Sequence, residues 1–471
     1  MRGTTRGRLF GAYVSAGGAG IGLVVAQIAR NTAVLDRVWA EDGAVFGRQA
    51  FDGHVWEQVG RGYAGYLVAP QRLLAAPIVS VVPPARWGMW FALAAMAVAA
   101  ASALAVYRLS GGILVHRPTR AALAALVAVG PKMRGEWPAI SNVAWPLLAA
   151  MFWVIVSVRI DWFSTFLRCV VAASAITASG LGLAFVPLAV VVLLSGDWKF
   201  FRRVLDRGSL VSSEPGSSDD ARTRLRTADR WVAGTIGVAA CLQIVGLATA
   251  VAGAKPFRSN NVDIAKLLVV RVFGSVVTGE RFIDEAWRSW GLAFGVICAI
   301  AIVGGLALGF RRTCVSICSL ATLAIAYAIG IGAVSLRTRG TEPFALQAGR
   351  FSFDAERYFI VPTFLVVSAI AMGVDRGRLR RRNGEGNGDG EGAPQYRRSL
   401  VASGVFAGFV VIMLIGTAFT QRNEEQPSDP WSVALRQARS SCRADPSPDR
   451  VDIPIAPAGI FRLNVPCSRL R

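Results

Sequence analysis

Three carboxylates stand close together near the start of the chain, in the run Asp36-Arg37-Val38-Trp39-Ala40-Glu41-Asp42-Gly43. A carboxylate at the edge of a cavity between helices can accept a proton from a hydroxyl or hold a divalent metal such as Mg or Mn. Neighbouring residues on a helix point about 100° apart, so Glu41 and Asp42 cannot both serve one small site unless the backbone is extended. Asp42 is the first candidate and Glu41 the second. The competing reading is that the acid pair opens a helix over 44–51, capping its N-terminus and complementing its dipole. His54 and His116 are the only histidines, which gives little support to a multi-histidine metal site or a Ser-His-Asp triad.

The elements that must position these groups are membrane helices. The chain has 471 residues, 53% of them hydrophobic and 17% charged, with a mean hydropathy of +0.45, too apolar for a soluble domain of this size. Disorder, a nucleic-acid module and a secreted disulfide scaffold are excluded on the same ground, despite a net charge of +21. Apolar blocks near the length that crosses about 30 Å of hydrocarbon run at 9–29, 87–107, 121–133, 139–158, 163–178, 181–195, 231–252, 290–310, 313–335, 358–374 and 399–419.

The fold expected is therefore an all-α polytopic bundle of about 11 spans, with residues 1–419 in the bundle and 420–471 as a tail. Basic runs at Lys199/Arg202/Arg203/Arg207 and Arg376/Arg378/Arg380/Arg381/Arg382 point to a cytoplasmic N-terminus and an extracytoplasmic C-terminus. The extracytoplasmic loops would then be 30–86, 253–289 and 336–357. The segment 67–82, interrupted by Pro70, Arg72 and Pro77, reads as an interfacial or re-entrant helix; if it crosses, 121–133 does not. Stretches 209–221 and 383–393, rich in Gly, Ser and acid, read as linkers.

The pattern Trp39-Ala40-Glu41-Asp42-Gly43-Ala44-Val45-Phe46, followed by Gly62-Tyr63-Ala64-Gly65-Tyr66 and Pro70-Gln71-Arg72-Leu73, resembles actinobacterial polytopic proteins of the GT-C glycosyltransferase superfamily. Asn142-x-x-Trp145 and Glu356-Arg357-Tyr358-Phe359, each opening a span, resemble the same group, as does the tail with two Cys. The resemblance implies an enzyme that moves a sugar from a polyprenyl-phosphate donor to a glycan or lipid acceptor on the outer face of the cell membrane. It places an acidic residue of the first outer loop, here Asp42 or Glu41, as base or metal ligand. A donor reaching the site through the bilayer removes the need for a nucleotide-binding domain. The departing lipid phosphate needs cations held close, a task that suits Arg.

Arg357, beside Tyr358, is the first phosphate candidate, followed by Arg350 and Arg72. An Arg at a membrane boundary also snorkels or sets orientation, and Arg357 has Asp354 and Glu356 nearby to pair with. Arg72 interrupts an apolar stretch, where an ionisable group is costly and often functional. Asn142 and Trp145, with Lys132, Arg134, Glu136 and Trp137, suit sugar binding through ring stacking and amide bonds, against the ordinary role of interfacial Trp.

Five of the seven Cys lie in or beside apolar blocks and behave as small hydrophobes. Cys442 and Cys467 lie in the tail; outside the cytoplasm, they would form a disulfide. Two other functions compete with the transferase. A transporter or flippase would carry ionisable groups at mid-span, whereas the acids here fall almost wholly in loops; no repeat of fixed period supports duplicated halves. A non-catalytic scaffold for envelope assembly would show no pocket beside Asp42.

Overall fold

The computed structural model describes residues 35–53, 55–129, 138–159, 161–194, 218–249, 260–278, 280–310, 315–339, 357–375, 401–411, 414, 429–445, 449–457 and 459–470. Within them the chain is mostly helical. Among the described residues four helices are long and apolar enough to cross a membrane: Pro84–Gly112, Arg226–Thr249, Ile317–Thr338 and Arg357–Val374. Shorter apolar helices cover Ile140–Val156, Trp162–Ala178, Gly180–Leu193, Leu292–Ala307 and Val401–Val411. The first apolar block, 9–29, and the basic runs at 199–207 and 376–382 lie outside the described residues.

The Trp87–Leu109 helix shows how the sequence builds this bundle. Alanine-rich, without Pro and charged only at Arg108 in its last turn, it has high helix propensity, and 23 residues span about 35 Å. Ala95, Ala99 and Ala103 recur one turn apart and are buried, letting neighbouring helices approach closely. Those neighbours are Arg117–Val129 and Ala144–Val156. Every residue of Ala144–Val156 is buried, so this helix is the centre of the core. Outward-facing residues are also apolar: Val238, Leu242 and Val245 on one span, and Ile297, Ile300 and Val303 on a shorter helix, are exposed. That is the pattern of a surface meant for lipid.

Several segments carry more regular structure than their sequence suggests. Segment 67–82 forms the helix Ala69–Val81, whose 13 residues cover about 20 Å, the short helix expected there; 121–133 is helical as far as it is described, within Arg117–Val129. The stretch 253–289, expected as an outer loop, carries Asn261–Leu268 continuing through Val269–Gly274 to Ser275–Thr278. Ile264, Leu267, Leu268, Val270, Val272, Phe273 and Val276 are buried there, and the segment packs on Leu292–Phe310. Lys266 and Arg271 lower its mean hydropathy and hide a core-facing helix of regular apolar spacing. The stretch 209–221, read as a linker, ends in helix, because the helix leading into one span begins at Ser218.

The tail also departs from an all-α chain. After the helix Trp431–Ala444 come two antiparallel strands, β1 (Arg450–Ile455) and β2 (Phe461–Pro466). Ile453, Ile455, Leu463 and Val465 alternate inward, the period-2 pattern of a half-buried strand. With Trp431, Leu435 and Ala438 they belong to the same apolar core as the bundle, and a disulfide joins Cys442 to Cys467 with Cα atoms 5.7 Å apart.

This unit is docked on the segment that carries Asp42. Trp431 stacks on Trp87 at 6.0 Å and donates from its indole nitrogen to the Pro84 carbonyl at 2.7 Å. Asp36 accepts from the Ser432 amide at 2.9 Å and from its hydroxyl at 2.6 Å, capping the start of the tail helix from a distant part of the chain. The tail and the Asp42 segment therefore share one end of the bundle.

Candidate functional site

The backbone around Asp42 is fixed on both sides. Residue 38 receives the Ala456 amide at 3.1 Å, and Ala40 donates to the Ala456 carbonyl at 2.5 Å. Ala40 then turns the chain with a positive φ of 25°, and the helix begins at Asp42. Gly43 lies so close to its neighbours that a Cβ would fall 2.7 Å from Val38 Cγ1 and 2.8 Å from Ile455 Cδ1, so any larger residue would have to push those side chains aside.

Asp42 is 1% exposed. Its Oδ2 accepts from the Ile140 amide at 2.9 Å and its Oδ1 from the Ser141 amide at 2.8 Å. These are first-turn N–H groups of Ile140–Asn142, which leads into Ala144–Val156, and such groups have no partner within their own helix. The local N-cap is Ala139, which offers no side-chain acceptor, so the carboxyl of Asp42 supplies it and faces the positive end of the dipole. Asp42 thus caps a different helix from the one it begins. Burial pushes its pKa up to about 7, with the Ser141 and Ile140 bonds pulling the other way. Glu41 is half-buried, and its carboxylate is not part of this cap.

The same helix start gathers other candidates. Asn142 is buried at the end of the 3-10 turn, and Trp145 is buried in the first turn of the helix. The Tyr358 ring meets the Trp145 ring edge-on at 5.3 Å, and the Arg357 guanidinium lies 5.5 Å from the centre of the Tyr358 ring. Asp42, Asn142, Trp145, Tyr358 and Arg357 therefore line one end of the core.

Arg72 belongs to a separate arrangement on Ala69–Val81. Its Nε donates to Gln49 Oε1 at 2.8 Å, and one terminal nitrogen reaches the carbonyls of Gln58 and Arg61. Burial lowers its pKa to about 10. These bonds tie the turn around residues 58–61 to the helix, a bracing role. Arg350, Lys132, Arg134, Glu136, Trp137 and His54 lie outside the described residues.

Among the described residues no three His, Cys, Asp or Glu side chains come together as a metal cage, so no step is derived through Mg or Mn. What reading by type misses is the pairing of Asp36 with Ser432 and the role of the Ile140 and Ser141 amides. The available signal was a helix start at 140 with Ala in the capping position, which demands an acceptor from elsewhere. The chain matches no family model, no curated protein and no solved structure.

Proposed function

We propose that this protein is a multi-pass cell-membrane glycosyltransferase of GT-C type, acting at the end of the bundle that holds Asp42. In this reading it has about eleven spans, a cytoplasmic N-terminus and an extracytoplasmic C-terminus. The observation that carries the proposal is the carboxyl of Asp42, with a pKa near neutrality, at the same helix start as Asn142 and the Trp145–Tyr358–Arg357 cluster. The Cys442–Cys467 disulfide supports the orientation, since such bonds persist in oxidising compartments and the tail bearing it is docked on the Asp42 segment.

The acceptor hydroxyl oxygen attacks the anomeric carbon, the bond from that carbon to the phosphate oxygen breaks, and polyprenyl phosphate leaves. The hydroxyl proton passes to the Asp42 carboxylate, which works best with a pKa near ambient pH. Glu41 is the second candidate for that proton. Arg357 offsets charge on the departing phosphate, with Arg350 as the second candidate, whereas Arg72 is held in bracing the turn at 58–61. Trp145, Tyr358 and Asn142 hold the sugar. Because Asp42 is 1% exposed, the acceptor reaches it only through a local opening of the structure around it.

A second reading, a non-catalytic scaffold, is favoured by one observation: both Asp42 oxygens are engaged by backbone amides. Purified protein in lipid vesicles, given radiolabelled polyprenyl-phosphate sugars and an envelope extract as acceptor, separates the two. Transfer that Asp42→Asn abolishes in a folded protein supports the enzyme; label left wholly on the lipid supports the scaffold.

A further inference from the structure

At the end of the bundle away from Asp42, the Trp87–Leu109 helix passes through Ser110–Gly112 to the Arg117–Val129 helix. Two guanidinium groups meet there over Gly111. A Cβ on that glycine would collide with Arg120 Nη1 and fall 2.9 Å from Arg159 Nη2. The Arg120 guanidinium also lies 4.9 Å from the centre of the Tyr107 ring, and Arg117 adds a third positive charge nearby.

Among the described residues the acids nearest this pair are Asp161 and Asp375, and neither bonds to Arg120 or Arg159, although Asp375 keeps its Oδ1 without a hydrogen bond. Asp161 takes Arg108 at 2.6 Å and caps its own helix through the Ser164 amide at 3.0 Å. Asp375 takes the His116 amide at 2.9 Å and faces His116 Nε2 at 3.7 Å; it attracts Arg120 without bonding to it. The Nε groups of Arg120 and Arg159 are buried and have no acceptor among the described residues. Burial together with Arg159 and Arg117 holds the Arg120 pKa below its ordinary value, against the pull of Tyr107 and Asp375. Two like charges at one glycine, with buried donors unmet, are a costly arrangement unless an anion joins them.

We propose that Arg120 and Arg159 form a binding site for a phosphate group at the membrane face opposite Asp42. Guanidinium forks match the tetrahedral oxygens of phosphate. The site sits at the end of the apolar Pro84–Gly112 helix, the level at which phospholipid headgroups lie. The phosphate belongs either to an anionic lipid or to the free ion.

The test uses the full-length protein in detergent, with thermal unfolding followed during titration with phosphatidylglycerol in one arm and inorganic phosphate in the other. Stabilisation by the lipid alone identifies a headgroup site, and stabilisation by both identifies a site for the phosphate group itself. The double variant Arg120→Gln/Arg159→Gln should bind at least about tenfold more weakly, yet unfold without additive at the wild-type temperature or above, because the repulsion is gone. Arg159→Lys, which keeps the charge and loses the fork, should weaken binding by a smaller factor and serves if the double variant does not fold. Wild-type protein that responds to neither additive, or variants that bind both as wild type does, would overturn the proposal.

Discussion

The Oδ1 atom of Asp42 lies 2.8 Å from the amide nitrogen of Ser141, a residue 99 positions further along the chain. With the matching bond to Ile140, this joins the segment that carries the tail to the central helix of the bundle. Asp42 therefore has a structural duty whatever chemistry it performs, and its variants separate the two.

Asp42→Ala leaves two buried amides without an acceptor, at a cost of about 3 kcal/mol, whereas Asp42→Asn keeps one acceptor oxygen and costs about half as much. Thermal unfolding in one detergent measures both. Equal stability of wild type and the alanine variant would show that the cap contributes nothing.

The pKa of Asp42 gives stability and rate opposite pH dependences. The folded chain holds this proton up to about pH 7, whereas the unfolded chain releases it near 3.8. The stability from this group is thus full below the unfolded value and is lost as pH rises through about 7. A base must be ionised, so transfer should rise with pH across the same region. Unfolding and transfer profiles recorded from pH 4 to about 8 should move oppositely, and Asp42→Asn should flatten the stability slope.

Arg72→Ala should release the turn at 58–61, costing about 2 kcal/mol and speeding tryptic cleavage after Arg61, whose side chain is already exposed but whose backbone is then no longer held. Arg72→Lys should not restore protection, since an ammonium lacks the planar fork that serves Gln49, Gln58 and Arg61 together. An unchanged digestion pattern in the alanine variant would remove the bracing role.

Cys442→Ser should destabilise the tail by about 3 kcal/mol through lost loop closure. The tail should then detach from the Trp87–Trp431 stack, measured as a change in tryptophan fluorescence. In intact cells neither thiol of the wild type should alkylate until a reductant is added, because the pair is bonded.

Much of the helical framework could be read from composition, because a run such as Trp87–Leu109 has no other way to satisfy its backbone in lipid. The helix from Asn261 to Thr278 escaped that reading, since Lys266 and Arg271 break the apolar run although its core face is regular. The β1–β2 pair escaped for a different reason: six-residue strands in a Pro-bearing tail give a weak signal, and Pro454 lies within one of them. At the site, Asp42 stood out by type and place, but its hydrogen-bond partners are backbone amides, which every residue except proline carries. Such a bond is invisible until the fold brings residues 42 and 141 together.

The most direct measurement is the rate at which reconstituted protein moves label from polyprenyl-phosphate sugars to acceptor, compared between wild type and Asp42→Asn of matched folded fraction. A general base contributes a factor of about 100 or more, so the variant should fall by at least that much. Transfer at the wild-type rate by a folded Asp42→Asn protein would contradict the account.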